Sequence, residues 1–264
     1  MRLRTNFRQP SIVCHSAMIL ILWLSLAGCQ VNSGRWERIK ESGTLRVGLD
    51  PTYPPFEIAD ESGISGLDVD LADALAAELG INAEFVYFGY DGLYDALATK
   101  QVDVLISALV IMPEKRRDFD YSEPYFNAGE ILIVSNTEEL IRNMADLANH
   151  RLAVELGALG HVEAIQWAKK VEDLQVVPFP GATEALDALS AGETDAALVD
   201  SISGRLYLKE NPQLKRIPEP VTVEPYAIVV RIEDERLLVE LNEALRRLKA
   251  NGQLDKIVAR WIGS

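Results

Sequence analysis

The most regular pattern in the chain is Gly66-Leu67-Asp68-Val69-Asp70-Leu71, which continues through Leu75-Ala76 to Leu79. A leucine occurs at every fourth position of this stretch, and that spacing is typical of one apolar face of an α-helix. Gly80 follows and predicts the end of the helix, because glycine readily adopts the left-handed conformation of a C-cap. The pattern therefore predicts a helix that packs against a buried surface.

Strand and helix patterns alternate on both sides of this helix. In the first half of the chain, strands are predicted over residues 45–49, 83–88 and 102–106, and a helix over residues 92–99. In the second half, strands are predicted over 152–154, 175–177, 196–199 and 226–230, and helices over 160–171, 183–191, 237–248 and 254–261. Strands that alternate with helices predict parallel sheets covered by helices.

Two segments of the chain resemble each other. Residues 95–103 and residues 187–195 both run from an Asp-Ala-Leu helix through a short turn to an aspartate that leads into an apolar strand. Coincidence is the alternative, because helices of this composition are common. The two strands lead to Ser107 and Asp200. Ligands of open α/β sheets bind beyond the carboxyl ends of the strands, so two facing lobes would place these residues across one cleft.

The N-terminal segment has the composition of a secretory signal. Three arginines precede an apolar run over residues 17–24, which leads to Leu26-Ala27-Gly28-Cys29. The run is shorter than the roughly 20 apolar residues that a spanning helix needs. Its end resembles the lipobox of bacterial lipoproteins, which implies a signal peptide over residues 1–28 and an acylated Cys29. An uncleaved anchor with an incidental cysteine is the alternative. We therefore predict a membrane-anchored protein outside the cytoplasm.

The charge and cysteine content exclude several classes of partner and cofactor. The formal net charge is −14, and removal of the leader with its three arginines leaves −17. This charge argues against nucleic acid and anionic lipid surfaces as partners. Cys14 and Cys29 are the only cysteines, so the exported domain is predicted to have no disulfide. His150 and His161 lack cysteine or histidine partners at metal-binding spacing, and we predict neither a metal site nor a cofactor.

Several motifs resemble those of one protein family and occur in its order. The stretch that begins at Gly66 is similar to the signature of the family 3 extracellular solute-binding proteins, the polar amino-acid receptors of ATP-binding cassette importers. The other matching motifs are Leu45-Arg46-Val47-Gly48-Leu49-Asp50-Pro51-Thr52-Tyr53-Pro54-Pro55-Phe56-Glu57, Asp120-Tyr121-Ser122-Glu123-Pro124-Tyr125, Val199-Asp200-Ser201 and Glu224-Pro225-Tyr226. Together they extend over most of the chain that follows the leader.

The resemblance implies an α/β fold of two lobes, the type II periplasmic-binding-protein clamp. Each lobe is expected to be a mostly parallel sheet flanked by helices, and two hinge crossings join the lobes. The implied division is a tether over 29–43, a first lobe over 44–127 and 225–264, and a second lobe over 128–224. A ligand between the lobes favours closure only when both lobes contact it.

Aromatic and acidic residues match the family's ligand contacts. Tyr53, Phe56 and Tyr90 are expected to pack on the ligand, with Asp50 nearby. Each has a structural alternative, since the first two could pack within the proline-rich loop, Tyr90 could lie in the core, and Asp50 could brace the loop. Asp200 matches the position that receives the ligand's ammonium group, where a carboxylate makes a charge-assisted hydrogen bond. Its alternative role is to cap the helix that follows.

The half of the site that binds the ligand carboxylate departs from the family pattern. The family's Ser-Gly-Met-Thr-Ile-Thr-Pro-Glu-Arg is here Ser107-Ala108-Leu109-Val110-Ile111-Met112-Pro113-Glu114-Lys115. Lys115 replaces the arginine that grips the α-carboxylate, and lysine cannot form the same two-pronged contact. The second lobe has Gly157-Ala158-Leu159-Gly160 in place of Gly-Thr-Thr-Gly. Backbone N–H groups at the start of this helix could still hold an anion.

These substitutions define the expected site and ligand. Ligand contacts are expected from Ser107, Ala108, Val110, Lys115, Ala158 and Leu159, in addition to the aromatic and acidic residues above. Glutamate, arginine and histidine are expected to bind weakly, because carboxylate oxygens would lack donors. An apolar or aromatic amino acid, or an amine with little carboxylate character, is expected to bind better.

The resemblance implies a binding protein rather than an enzyme. We predict a monomeric, extracytoplasmic solute-binding lipoprotein that delivers an amino acid or a related amine to an ABC permease. One alternative is an exported dehydratase, since the family shape includes enzymes that convert cyclic aromatic-amino-acid precursors, with Asp50 or Asp200 as the acid. A ligand-sensing clamp is the other alternative. No Gly-x-Ser-x-Gly elbow or Walker phosphate loop occurs in the sequence.

Overall fold

The computed structural model describes residue 1 and residues 34–61 and 63–263. The predicted signal peptide and Cys29 therefore lie outside the described residues, apart from residue 1. Among the helices described, none combines the length and the apolar character that crossing a membrane requires.

Strands and helices alternate along the described chain. The strands are β1 (Thr44–Leu49), β2 (Ile58–Asp60), β3 (Gly63–Ser65), β4 (Asn82–Tyr87), β5 (Val104–Leu105), β6 (Phe119–Tyr121), β7 (Phe126–Asn127), β8 (Glu130–Ser135), β9 (Arg151–Glu155), β10 (Gln175–Phe179), β11 (Ala196–Asp200), β12 (Leu214–Arg216), β13 (Pro225–Tyr226) and β14 (Val229–Arg231). The α-helices are α1 (Arg35–Ser42), α2 (Leu67–Leu79), α3 (Leu93–Ala98), α4 (Leu159–Ala168), α5 (Ala182–Ser190), α6 (Ser201–Glu210), α7 (Glu235–Ala250) and α8 (Gln253–Trp261).

The first sheet has the strand order β4-β1-β5-β14-β6. Strand β1 pairs in parallel with β4 and β5, whereas β14 is antiparallel to β5 and β6. Leu67, Leu71 and Leu75 of α2 are fully buried in a core shared with β1, α7 and α8. Burying each of these side chains stabilises the fold by about 1.5–3 kcal/mol. The predicted helix is confirmed, and Gly80 ends it in the left-handed conformation at φ 71°.

The second sheet repeats this arrangement with the order β10-β9-β11-β8-β12. Strand β9 pairs in parallel with β10 and β11, and β8 is antiparallel to β11 and β12. In both sheets a single strand therefore runs against the other four. The expected α/β architecture of two mostly parallel sheets flanked by helices is confirmed.

Each sheet is braced by an arginine–aspartate pair at the edge where its central parallel strands begin, and in the first sheet Arg35 of α1 also forms a salt bridge with the aspartate. In the first sheet the backbone N–H of Arg46 donates to Asp103 Oδ2 at 2.9 Å, and the Arg46 guanidinium contacts both oxygens of the same carboxylate. In the second sheet the backbone N–H and guanidinium of Arg151 make the same contacts with Asp195. The two aspartates are those of the repeated segment, which supports an internal repeat over coincidence.

A two-stranded ribbon joins the two sheets. Strands β7 and β13 pair antiparallel, with Phe126 opposite Tyr226. The chain passes from β6 through β7 into β8 of the second sheet, and it returns from β13 into β14 of the first. We retain as a proposal the lobe limits near residues 127 and 225, which both fall in this ribbon.

Three of the differences from the sequence prediction matter most for the fold. Residues 35–42 of the predicted tether form α1, whose Trp36 and Ile39 are buried in the core of the first lobe. The strand predicted over 226–230 is divided, because Tyr226 pairs in the ribbon whereas Val229 pairs with β5 and β6. Strand β8 lies inside the second sheet but was not predicted.

Candidate functional site

A cavity of about 410 Å³ opens where β1 and β5 end. The loops that follow neighbouring parallel strands meet at this edge of a sheet, so residues distant in the sequence converge there. The cavity is lined by Asp50, Thr52, Tyr53, Tyr90, Ser107, Ala108, Val110, Glu224 and Tyr226. Most of the site residues predicted in the first lobe therefore lie together. Tyr226 of the β7–β13 ribbon, called the hinge ribbon below, and Glu224 just before it also line the cavity.

Asp50 holds three parts of the cavity wall together. Its Oδ1 accepts hydrogen bonds from the backbone N–H and the hydroxyl of Thr52, at 3.1 and 2.7 Å. Its Oδ2 accepts from the backbone N–H of Tyr90 at 2.9 Å. The backbone N–H of Asp50 donates to Ser107 Oγ at 3.0 Å. The bracing role that was the alternative for Asp50 is thus present in the structure, and the same carboxylate faces the cavity.

The segment Ser107–Ala108 is fixed from behind by a buried carboxylate. Ala108 has a φ of 47°, a left-handed backbone conformation that residues other than glycine rarely adopt. Its backbone N–H donates to Asp68 Oδ2 at 2.6 Å, and the Tyr125 hydroxyl donates to the same oxygen at 2.9 Å. The two hydrogen bonds hold this cavity wall in an otherwise unfavourable conformation.

A second carboxyl group lies beside Asp68. The side chains of Glu57 and Asp68 are both fully buried, and burial together with the neighbouring Asp68 carboxylate raises the pKa of Glu57 far above its usual range. Burial also raises the pKa of Asp68, although the donors from Ala108 and Tyr125 oppose the shift. Two like charges are costly at this depth. The burial of this pair therefore favours the protonated form of its carboxyl groups.

The aromatic wall of the cavity consists of tyrosines, with Phe56 behind it. Tyr53 and Tyr90 are 46% and 56% exposed, whereas Phe56 is fully buried. Phe56 stacks on Tyr53 with 5.7 Å between ring centroids and meets Phe126 and Tyr226 edge to face. Phe56 does not line the cavity, so its predicted ligand contact stays a prediction. Phe56 instead supports the Tyr53 ring.

Lys115 does not line the cavity in this structure. Its Nζ lies 4.2 Å from the centroid of the Tyr94 ring, a cation–π contact. The hydroxyl group of Tyr94 is 3.2 Å from that of Tyr121. Lys115 thus contacts a side chain of α3 in this structure, and its predicted contact with a ligand carboxylate stays a prediction.

The predicted residues of the second lobe lie outside the cavity. Leu159 is 69% exposed at the start of α4, and Ala158 is the N-cap residue of that helix. Asp200 is the N-cap of α6, and its Oδ1 accepts from the backbone N–H groups of Ile202 and Ser203 at 3.0 and 2.9 Å. The capping alternative for Asp200 is therefore observed, and Oδ1 carries both of its capping bonds.

Glu130 is an acidic residue of the second lobe that the sequence analysis overlooked. It lies opposite Asp200 in the β8–β11 pair and is only 5% exposed. Burial, followed by the charge of Asp200, raises the pKa of Glu130 to about 7. A Cβ at Gly160 would lie 2.6 Å from Glu130 Oε2, so a larger residue at the start of α4 would require this carboxyl group to shift.

Within the described residues, no group of three or more histidine, cysteine, aspartate or glutamate side chains is arranged to hold a metal ion. The chemistry on offer at the cavity is that of tyrosine rings, carboxylates and backbone groups. Such a set can hold a cation by charge and an apolar body by packing.

Comparison with known families assigns the fold. A family model described as bacterial extracellular solute-binding proteins, family 3, matches residues 45–264. The chain belongs to this family.

Two curated relatives of this solute-binding protein are amino-acid-binding proteins. This chain is 30% identical over 247 residues to the L-cystine-binding protein TcyJ of Escherichia coli strain K12. The alignment covers 90% of this chain and 91% of the relative. This chain is also 30% identical over 229 residues to the arginine-binding extracellular protein ArtP of Bacillus subtilis strain 168, covering 84% and 88%. The role of a substrate-binding component of an ABC importer follows from this membership.

Two solved structures share the architecture. The L-cystine solute receptor of Neisseria gonorrhoeae, in its unliganded open conformation, superposes with a TM-score of 0.76 at 29% identity, covering 88% of this chain and 98% of the receptor. A single-residue variant of an ancestral cyclohexadienyl dehydratase superposes with a TM-score of 0.76 at 26% identity, covering 87% and 97%. The same two-lobed shape therefore occurs in a binding protein and in an enzyme.

Several functional candidates of the solute-binding protein escaped the sequence analysis. Thr52 and Tyr226 lie in motifs that were noted, but nothing in their spacing predicted that they face a ligand. Glu224 directly precedes the return strand. Glu130 carried a usable signal, because a lone acid at the start of a fully apolar run is unusual and is rarely buried without a function or a partner.

Proposed function

We propose that this solute-binding protein captures a small amine-bearing solute with an apolar or aromatic body and delivers it to an ABC permease. The observation that carries the proposal is the composition of the cavity wall, where three tyrosines and two carboxylates converge at the ends of β1 and β5. An ammonium group in this setting gains from charge-assisted hydrogen bonds to the carboxylates. The tyrosine rings supply packing area and a cation–π surface.

The second lobe adds further negative charge on its side of the cleft. Asp200 and Glu130 lie side by side at the sheet edge, and the charges of Asp200, Glu224 and Glu155 all raise the pKa of Glu130. An arriving cation relieves this repulsion. The acidic side chains of both lobes thus favour closure around a cation, because a ligand shifts the equilibrium only by its preference for the closed state.

The lobes are proposed to stand open in this structure. The cavity is lined only by residues of the first lobe, the hinge ribbon and the ribbon's flank, and Leu159 is exposed rather than covered. The TM-score of 0.76 with a receptor in its unliganded open conformation supports this arrangement. Closure would bring Ala158, Leu159 and Asp200 to the ligand, as the sequence analysis expects.

Recognition of an α-carboxylate is proposed to be weak. Lys115 is engaged with Tyr94, and Val110 and Leu159 offer methyl groups where the family pattern has hydroxyl donors. An unpaired carboxylate oxygen in a closed cleft costs about 1–3 kcal/mol. Apolar ligand area packed on these methyl groups gains about 25 cal/mol per Å² instead.

The ligand class can be tested by calorimetric titration with matched pairs. The pairs are phenylalanine with phenethylamine and lysine with cadaverine, with glutamate, arginine, histidine and cystine as single probes. We expect tighter binding of the aromatic compounds and of the amines than of glutamate, arginine and histidine. Submicromolar binding of a polar amino acid would contradict the proposed ligand class.

A triple variant tests the same proposal from the protein side. Lys115→Arg, Val110→Thr and Leu159→Thr together restore the family pattern, and we expect them to move preference towards polar amino acids. Unchanged preference would show that these positions do not set it. The matched control is Lys170→Arg, which alters a lysine of the second lobe that lies over Trp167.

The remaining parts of the proposal concern assembly. We propose that the protein acts as a monomer that is anchored through lipid on Cys29 and releases its ligand to the permease. The support is the Leu-Ala-Gly-Cys sequence at residues 26–29 and the family membership, which places the protein outside the cytoplasm.

A dehydratase is a second candidate function, and Glu130 favours it. A buried carboxyl group whose pKa is raised to about 7 can donate or accept a proton near neutral pH, and an enzyme of this fold is known among the structural relatives. Incubation with cyclic precursors of aromatic amino acids, followed by ultraviolet detection of an aromatic product, tests it. Turnover that is lost in Glu130→Gln would establish an enzyme, and no turnover would leave the binding role.

A further inference from the structure

A second cavity, of about 580 Å³, lies on the other side of the hinge ribbon. Its wall combines residues 125–127 at the ribbon, Arg205 of α6, Arg216 of β12 and the C-terminal helix α8 with Gly263. It shares no lining residue with the cavity at the ends of β1 and β5. Both lobes therefore contribute to it, but through different surfaces from those that meet across the cleft.

Arg205 is a half-buried cation that forms no salt bridge with any carboxylate among the described residues. Among residues 34–61 and 63–263, no carboxylate oxygen lies within 4.0 Å of its guanidinium group. Its Nη1 makes one long hydrogen bond, of 3.4 Å, to the carbonyl oxygen of Gly263, and its guanidinium carbon lies 5.7 Å from the Phe126 ring centroid. Its buried Nε has no acceptor. Burying an unpaired charge is expensive.

Further positive charge surrounds this group. Burial, followed by the charge of Arg216, lowers the pKa of Arg205 to about 10, so both guanidinium groups are charged at neutral pH and repel each other. Lys256 lies on the rim, where the exposed carboxylate of Asp255 offsets part of the charge. The chain as a whole has a formal charge of −14, whereas this cavity has three cations and one acid. The cavity is therefore a locally positive region of a negatively charged protein.

We propose that this second cavity is a binding site for a small oxyanion, such as inorganic phosphate or sulfate, held by Arg205 and Arg216. An oxyanion with several oxygens matches the planar fork of a guanidinium group and accepts charge-assisted hydrogen bonds from it. It would neutralise the repulsion between the two arginines. The proposal uses none of the residues that form the cleft site, so it stands independently of the ligand proposed there.

A free ion fits the setting better than the headgroup of an anionic lipid. The cavity is bounded by the ribbon and by a helix from each lobe, and a small ion can enter it without leaving a bilayer, as a headgroup would have to. The strongly negative protein is repelled by an anionic membrane surface. The free ion and the headgroup share phosphate chemistry, and the experiment includes an arm for each.

The test is a thermal melt in sodium phosphate or sodium sulfate, compared with sodium chloride at the same ionic strength and pH. At ten times the dissociation constant, we expect an oxyanion to raise the melting temperature of the wild type by about 3–6 °C. Arg205→Gln and Arg216→Gln should each lose most of this increase. Arg142→Gln, which alters an exposed arginine of the second lobe, should keep it. Phosphate titration by calorimetry should give at least tenfold weaker binding for Arg205→Gln than for wild type.

Arg205→Lys keeps the charge without the fork and should bind phosphate with intermediate affinity, which guards against a variant that fails to fold. Equal effects of phosphate, sulfate and chloride on the wild type would overturn the proposal. So would an undiminished oxyanion effect in a folded Arg205→Gln. In the second arm, the protein is sedimented with phosphatidylglycerol vesicles. Binding to these vesicles that depends on Arg205, without any response to free phosphate, would also reject the free-ion site.

Discussion

At the scale of single residues, Asp200 caps a helix and is proposed, in addition, to bind a ligand cation. Its Oδ1 caps α6 through the N–H groups of Ile202 and Ser203, and its second oxygen remains for a ligand cation. Asparagine caps helices about as well as aspartate, but it carries no charge. The substitution Asp200→Asn should therefore remove the negative charge proposed to bind a ligand cation and keep the helix cap.

We expect Asp200→Asn to weaken binding of the cognate amine by roughly 2–5 kcal/mol, while its melting temperature stays near that of wild type. Asp200→Ala should lose the same affinity and, in addition, about 1 kcal/mol of folding stability from the missing cap. Calorimetric titration and thermal melts of the two variants separate these effects. Affinity within a factor of three of wild type in Asp200→Asn would leave Asp200 as a helix cap alone.

Glu130 gives the protein a specific dependence on pH. Its pKa is about 7 in the folded chain, above the ordinary value of 4.5, so the folded state holds its proton more tightly than the unfolded state. The contribution of Glu130 to the stability of the folded state therefore falls as the pH rises from about 4.5 to about 7, and it is constant above that range. Glu130→Gln should remove up to about 3 kcal/mol of this decline. Urea unfolding of both proteins at pH 5.0 and 7.5 measures the difference, and parallel changes in the two would contradict the assignment.

At the scale of elements, sequence periodicity was reliable where a long apolar stripe exists. The leucines of α2 and α7 recur at the spacing of one apolar helix face, and both helices are present. Helix α1 was missed because its buried side chains are only Trp36 and Ile39, too few for a pattern. Strand β8 was missed because its apolar residues 131–134 show no alternation with polar residues, as expected for a strand buried on both faces.

The prediction of the site residues was also most successful where the signal is local. Residues in the loops after β1 and β5 were predicted to lie together because they belong to local sequence motifs. The burial of Phe56 and the contact of Lys115 with Tyr94 depend on which side of a loop faces the core, and a single sequence does not encode that direction in its spacing. Glu57 and Asp68 escaped as a pair because they come together only through the fold.

Helix α1 provides a test of the corrected tether. Trp36 is 5% exposed and packs in the core of the first lobe, so Trp36→Ala should cost about 3–5 kcal/mol of folding stability. Glu41→Ala, on the exposed side of the same helix, should change it by less than about 0.5 kcal/mol. Urea unfolding compares the two. A small effect of Trp36→Ala would restore the view of this segment as a loose tether.

At the scale of the whole molecule, the proposed lipid on Cys29 sets where the clamp works. One acyl chain holds a protein to a membrane only marginally, whereas two or more hold it stably. Cys29→Ser should therefore move the protein from the membrane fraction to the soluble fraction of cells. Fractionation and immunoblotting measure this. Membrane retention of the variant with an unprocessed N-terminus would instead support the uncleaved anchor.

The paired braces, Arg46 with Asp103 and Arg151 with Asp195, bear on which positions tolerate substitution. Both aspartates directly precede a central strand, and residues proposed to contact the ligand lie at or just after the opposite end of that strand. The braces therefore stabilise one edge of each sheet, whereas the residues proposed to select the ligand lie at the opposite edge. Substitutions at that opposite edge leave both braces in place, so we expect them to change ligand preference at little cost to folding stability.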